Sequence, residues 1–167
     1  EKYASDYAST ETRQVLRDAR LALSNLAVMS HDMPKAIEWL EQVLDEFPDD
    51  PSALNDLGYL WADAGKRLAR AHRMIEKAVE AEPDNAAYRD SLGWALFHLG
   101  RAAEAVAELE KAAAMEPDAT VLDHLGDAHR AAGNLDKARD AWRRAAEAFR
   151  KAGEPEKAKQ AEQKAKP

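Results

Sequence analysis

Glycine recurs in this chain at intervals too regular for loop filler. Three Leu-Gly pairs, Leu57-Gly58, Leu92-Gly93 and Leu125-Gly126, recur with steps of 35 and 33 residues between them. A second glycine stands seven residues after each, at Gly65, Gly100 and Gly133. Next come Ala71, Ala105 and Ala138, then a large apolar residue four further on (Ile75, Leu109, Trp142), then Ala78, Ala112 and Ala145. Pro83 and Pro117 close two of these units, and Pro48 closes an earlier, degenerate one built on Leu23, Ser24, Ala36, Leu40 and Val43, with His31 in place of the second glycine. A unit of about 34 residues cannot hide an apolar face alone, so such units must stack, and most of their stability comes from the contacts between neighbours.

Each landmark has a mechanical reason. Leu54, Leu57, Gly58 and Trp61 lie at helical spacing on one face, where a glycine lets a paired helix approach closely. Ala71 and Ala78 allow the same approach from the second helix. The second glycines end the first helices, because a left-handed terminal residue suits glycine. Asp50-Pro51 reads as an N-cap followed by a first-turn proline, with Asp84 or Asn85 and Asp118 as the later caps. Composition agrees: alanine supplies 36 residues, whereas Val, Ile and Thr together supply 11, which disfavours any sheet-based fold.

These landmarks resemble the tetratricopeptide repeat, whose signature places W-x2-L-G-x2-Y ahead of A-x3-F, A and P. The similarity covers about residues 17–150. It departs from the pattern where Leu54, Arg89 and Leu122 replace the tryptophan and Trp61, Leu96 and His129 replace the tyrosine. One extra residue before Ala71 should lengthen a turn, and Arg150 in place of proline should let the last helix run on towards Gly153. A weaker likeness points to repeat arrays of larger bacterial envelope-associated proteins.

The resemblance implies an all-α, right-handed superhelical solenoid of helix-turn-helix repeats with a C-terminal capping helix. We divide the single domain into an N-terminal extension (1–16), a degenerate first repeat (17–50), three further repeats (51–85, 86–118, 119–152) and a cap (153–167). Thr10 is a candidate cap for a helix running to Met29, and Tyr3, Ala4, Tyr7 and Ala8 have the spacing of a preceding helix. At the other end, Pro155 opens a helix whose apolar stripe is Ala158, Ala161 and Ala165.

The familiar catalytic signatures are missing from the sequence. There is no cysteine, no HExxH, no phosphate-cradling glycine loop and no nucleophile elbow, and the glycines punctuate helices. We therefore expect no enzyme activity, no cofactor and no metal. Of the histidines, His124 lies near Asp123 and Asp127 on one helix, but such surface ligands lack a supporting shell and are read as structural. His129, at a position where the family packs its tyrosine, is expected to be partly buried. The charge is −7 overall, with 18 basic against 28 acidic residues over 1–149 and six against three over 150–167. An acidic body repels nucleic acid, and no apolar run is long enough to enter a membrane. We expect a soluble chain, cytoplasmic or bacterial periplasmic. Its first residue, Glu1, reads as the start of a fragment or processed product.

What is left is a surface. Opposite the Leu-Gly seam the first helices carry Asn55, Asp56 and Tyr59, then Asp90, Trp94, Phe97 and His98, then Asp123, Asp127 and Arg130. The resemblance makes this face the concave wall that holds peptides. Aromatic anchors beside carboxylates suit an apolar segment with basic residues. A subset of the family grips a terminal carboxylate with lysine, asparagine and arginine. Asn55 fits that scheme, but Asp90, Asp123 and Asp127 stand where cations are needed. The alternatives are self-assembly through this wall or the open repeat ends, giving a homo-oligomer, or a docking domain of a larger, catalytic protein.

Overall fold

The computed structural model describes residues 10–166; Tyr3, Ala4, Tyr7 and Ala8 lie outside the described residues. Among them the chain forms nine α-helices and no strand: α1 (Thr10–Met29), α2 (Met33–Glu46), α3 (Pro51–Asp63), α4 (Leu68–Ala81), α5 (Ala86–His98), α6 (Ala102–Met115), α7 (Ala119–Ala131), α8 (Leu135–Lys151) and α9 (Pro155–Lys164). No helix among the described residues is long and apolar enough to cross a membrane. Each odd-numbered helix from α1 to α7 pairs with the helix that follows it, and α9 packs on α8. Successive pairs meet through the second helix of one and the first of the next, as in α4 on α5, and through adjacent first helices, as in α3 on α5. The result is an all-α repeat solenoid.

The turns follow from local chemistry. Asp50, Asn85 and Asp118 accept hydrogen bonds from backbone N–H groups of the first turns of α3, α5 and α7, so Asn85 rather than Asp84 is the cap. Thr10 is already helical and caps nothing within the described residues. The α3–α4 turn runs from 64 to 67, one residue longer than the α5–α6 turn (99–101), and Arg67 takes up the insertion in a left-handed conformation with φ 48°. His31 adopts φ 61° where the other units use glycine. With no proline to stop it, α8 reaches Lys151 and has 17 residues, against 14 in α2, α4 and α6.

The core runs along the seam between paired helices. Leu40, Leu57, Ile75, Leu109 and Val43 are its largest fully buried side chains. A Cβ on Gly58 would lie 2.7 Å from Ile75, one on Gly93 would lie 2.5 Å from Leu109, and one on Gly126 would lie 2.4 Å from Trp142. In all three units the large residue of the second helix fills the space left by the glycine of the first. The degenerate first unit solves the same crossing differently. Ser24 is buried and donates its hydroxyl to the Ala36 carbonyl at 3.1 Å, the carbonyl equivalent to those that face Gly58 and Gly93 at Ala71 and Ala105. Arg89, where the signature has tryptophan, binds Glu108 at 2.8 Å and the Pro83 carbonyl, also at 2.8 Å.

Gly93→Val should force Leu109 or the helix axis to move. We expect a loss of about 1–3 kcal/mol in urea denaturation with an unchanged slope. An unaltered midpoint contradicts the interlock.

Candidate functional site

The side chains opposite the seam form an inner wall along α1, α3, α5 and α7. At its N-terminal end is a cavity of about 320 Å³, lined by Asn25 and Val28 of α1, Asn55, Asp56, Tyr59 and Leu60 of α3, Ala87, Asp90 and Ser91 of α5 and Thr120 of α7, over a floor that includes Leu40. Asn55 is buried and its amide donates to Asp56 at 3.1 Å, while its carbonyl oxygen has no partner. Burial raises the Asp56 carboxyl above its ordinary range, against the opposing hydrogen bond from Asn55. Burial likewise pushes the Tyr59 hydroxyl well above its usual value, with Asp63 and Asp90 adding to the effect. This end of the wall is therefore rich in acceptors.

The rest of the wall is more heavily cross-linked within the chain, although His98 Nε2 and one oxygen each of Asp123 and Asp127 are buried without a hydrogen-bond partner. Trp94 lies between two rings, with Phe97 stacked at 4.9 Å and His124 at 4.0 Å between centroids, and His98 meets it edge-on at 4.6 Å. The Trp94 indole N–H donates to Asp63 of the preceding unit at 3.1 Å. His124 is buried and its Nδ1 lies 3.0 Å from Asp90. Lys164 of α9 donates to Asp123 at 2.7 Å and to Asp127 at 2.8 Å. Arg130 pairs with Asp127 at 3.5 Å and lies 5.3 Å from the centre of the Trp142 ring.

The structure thus separates the ten residues singled out from sequence. Asn55, Asp56 and Tyr59 face the cavity together with Asp90. Trp94, Phe97 and His98 form a packed cluster with His124. Asp123, Asp127 and Arg130 form an ion cluster with Lys164 further along. Of the four carboxylates singled out, Asp123 and Asp127 hold a lysine and Asp90 lies against a histidine. His124 points at Asp90 rather than Asp127, so the residues that suggested a divalent site serve packing between units instead.

Sequence reasoning missed Asn25 and Lys164. Asn25 directly follows Leu23-Ser24, the same register as Tyr59, Trp94 and Asp127, so the degenerate unit concealed an inner-wall position. Lys164 bridges 37 and 41 residues to its two partners.

A larger cavity of about 600 Å³ opens on the other side of the array, between α6 and α8 over Leu125 and His129. Lys137 lies 3.7 Å from Glu110 at its rim, and the buried His129 ring lies at the same distance from that carboxylate. No tryptophan, tyrosine or phenylalanine lines it, so it lacks the anchors that dominate peptide affinity. His129 is almost fully buried there, more than its sequence position implied, and its Nδ1 has no partner. Burial lowers its pKa. 

Comparison with known proteins agrees with this architecture. Two models described as tetratricopeptide repeat match the chain, one over residues 27–95 and the other over 85–115 and 119–165. A TPR repeat-containing protein of Pseudomonas aeruginosa is 36% identical over 126 residues, which is 75% of this chain and 20% of that protein. The chain therefore spans about a fifth of that relative's length. A thermophilic TPR protein of Thermus thermophilus superposes with a TM-score of 0.70 at 21% identity, covering 89% of each chain. An O-GlcNAc transferase of Thermobaculum terrenum superposes with a TM-score of 0.71 at 26% identity over 81% of this chain and 27% of that one.

Two outcomes are expected. His129→Leu, which restores the leucine found at the equivalent Leu96, removes an unpaired buried nitrogen and should raise stability by about 1 kcal/mol at neutral pH. A His pKa lowered by folding contributes stability above the ordinary histidine value of 6.5 that is lost as pH falls through the folded-state value. The variant should therefore lose less stability than the parent between neutral and mildly acidic pH, and parallel pH profiles contradict this. Lys164→Ala strands two carboxylates and should destabilise α9 by about 1–2 kcal/mol, read as faster amide exchange in α9. Unchanged exchange contradicts the role given to the ion cluster.

Proposed function

Because this chain belongs to the tetratricopeptide repeat family, we propose that it is a non-catalytic scaffold that binds a protein or peptide along its inner wall. The observation that carries this reading is the cavity of about 320 Å³ to which four consecutive first helices each contribute side chains. A stack of helix pairs has no need of such a hollow for its own packing.

We place the ligand at the N-terminal end of the wall. Tyr59, Leu60 and Val28 supply apolar contact, while the Asn55 carbonyl and the Asp56 carboxylate supply acceptors. The lining holds Asp56 and Asp90 and no lysine or arginine, so the preferred ligand is an apolar stretch carrying lysine or arginine. Asp90 belongs to this site, and the packed rings of Trp94, Phe97 and His98 lie beyond it. Asp123, Asp127 and Arg130 set the charge further along and take part only in binding longer segments.

The test uses synthetic apolar peptides that carry either lysine or glutamate. We expect the lysine series to bind and the glutamate series not to. Tyr59→Ala combined with Asp56→Asn should weaken the lysine series at least tenfold while leaving the melting temperature within a few degrees. Trp94→Ala with Phe97→Ala should lower the melting temperature markedly, since both rings are packed. Equal binding of the two peptide series, or binding indifferent to the Tyr59 and Asp56 changes, overturns the reading.

A further inference from the structure

The inner cavity does not end at Asp90. A second hollow of about 190 Å³ adjoins it, lined by Ala86, Ala87 and Asp90 of α5, Val121 of α7, and Glu116 and Asp118 of the turn between α6 and α7. The two hollows share Ala87 and Asp90, and the adjacent residues Thr120 and Val121 bound them on the α7 side. They are two parts of one groove that runs from α1 across α3 and α5 to the turn before α7. Both parts are walled by units that the chain itself supplies.

The second part has a floor of two alanines and a valine beside three carboxylates. Asp90 is buried and holds the His124 ring, and Asp118 accepts the Thr120 N–H as the cap of α7. Glu116 is exposed, and among the described residues no hydrogen bond or ion pair holds its side chain. Its counterpart one unit earlier, Glu82, accepts the amide of the cap residue Asn85 at 3.0 Å. The cap after Glu116 is a carboxylate, which has no N–H to give, so Glu116 is left free by a change of one cap residue. No lysine or arginine lines either part of the groove. Carboxylates alone do not make a site, but the Asn55 carbonyl oxygen lines the same groove, buried and without a partner, a cost that a bound donor removes.

We propose that the partner is an extended apolar segment bearing two basic residues about three positions apart, one seated between Asp56 and Asp90 and the other at Glu116 and Asp118; this rests on the reading of the inner cavity as the ligand site. The spacing follows from the stacking. The helices α3, α5 and α7 pack side by side, and the two seats lie on either side of α5. They are separated by one interhelical step of about 8–10 Å. An extended chain covers that distance in about three residues at roughly 3.3 Å each. Asp90 stands between the seats and serves both, while the alanine and valine floor takes the apolar residues that link the two cations.

The test compares labelled apolar peptides by fluorescence anisotropy at physiological salt. One carries a single lysine, two carry a second lysine three residues to its N-terminal or C-terminal side, and one carries the second lysine nine residues away. The last has the same charge as the three-residue peptides, so general attraction to an acidic surface cancels. At least one three-residue peptide should bind about fivefold tighter than the nine-residue peptide, the effect of one partly exposed ion pair. Glu116→Gln should cut that ratio below twofold, whereas Glu82→Gln, which removes the same charge one unit earlier, should preserve it. Glu116 is exposed and unpartnered, so its variant should keep the parent's helical circular dichroism. Equal binding of the three-residue and nine-residue peptides, or a ratio that survives Glu116→Gln, overturns the second seat and leaves the cavity reading standing. Failure of every lysine peptide to bind overturns the cavity reading and the two-seat proposal together.

Discussion

The architecture depends on a close crossing within each helix pair, where the first helix gives up a side chain and the second fills the space. The filler changes from Ile75 to Leu109 to Trp142 while the glycine stays, and at each site an added Cβ would fall within 2.7 Å of the filler. At such a distance the restriction is steric, so it does not weaken with salt or pH. It brings the two helices of a pair into register, and the register decides which residues face the next unit and which line the inner wall.

Once units are stacked at a fixed offset, polar groups about one period apart are brought together. Trp94 reaches back to Asp63, His124 to Asp90, and Lys164 to Asp123 and Asp127. The buried His124 and Asp90 pair also specifies the stacking, because a shifted unit leaves both unsatisfied. The pairing grades the inner wall. Towards the C-terminus Asp123 and Asp127 each hold Lys164 through one oxygen and leave the other without a hydrogen bond, while at the N-terminal end Asp56 has only an amide and no cation.

The fold was legible because its signals are local or periodic: a glycine after leucine, a small residue twelve or thirteen positions on, an aspartate or asparagine before a first turn. Even the irregularities could be read, such as the lengthened turn that puts Arg67 in a left-handed conformation. The site was only half legible. Periodicity places Trp94, Asp123 and Asp127 on the inner face, but it does not say that His124 and Phe97 both stack on the indole or that α9 returns a lysine to the two carboxylates. Those are contacts between units, and the signal that could have found them is complementary chemistry about one period apart. The Asp90 and His124 pair, 34 residues apart, carries that signal; Lys164 does not, because the capping helix is not a repeat.

Function on this account comes from what the stacking leaves unfilled. The convex cleft between α6 and α8 is the larger space, but it has no aromatic anchor, whereas the inner cavity combines Tyr59 with the unpaired Asn55 carbonyl. The most direct test is amide chemical-shift mapping of the chain during titration with a lysine-bearing apolar peptide. Saturable shifts centred on Asn25, Asn55, Asp56, Tyr59 and Ser91 are predicted. Shifts centred instead on Ala113, Asp140 and Arg144 of the convex cleft would contradict the account.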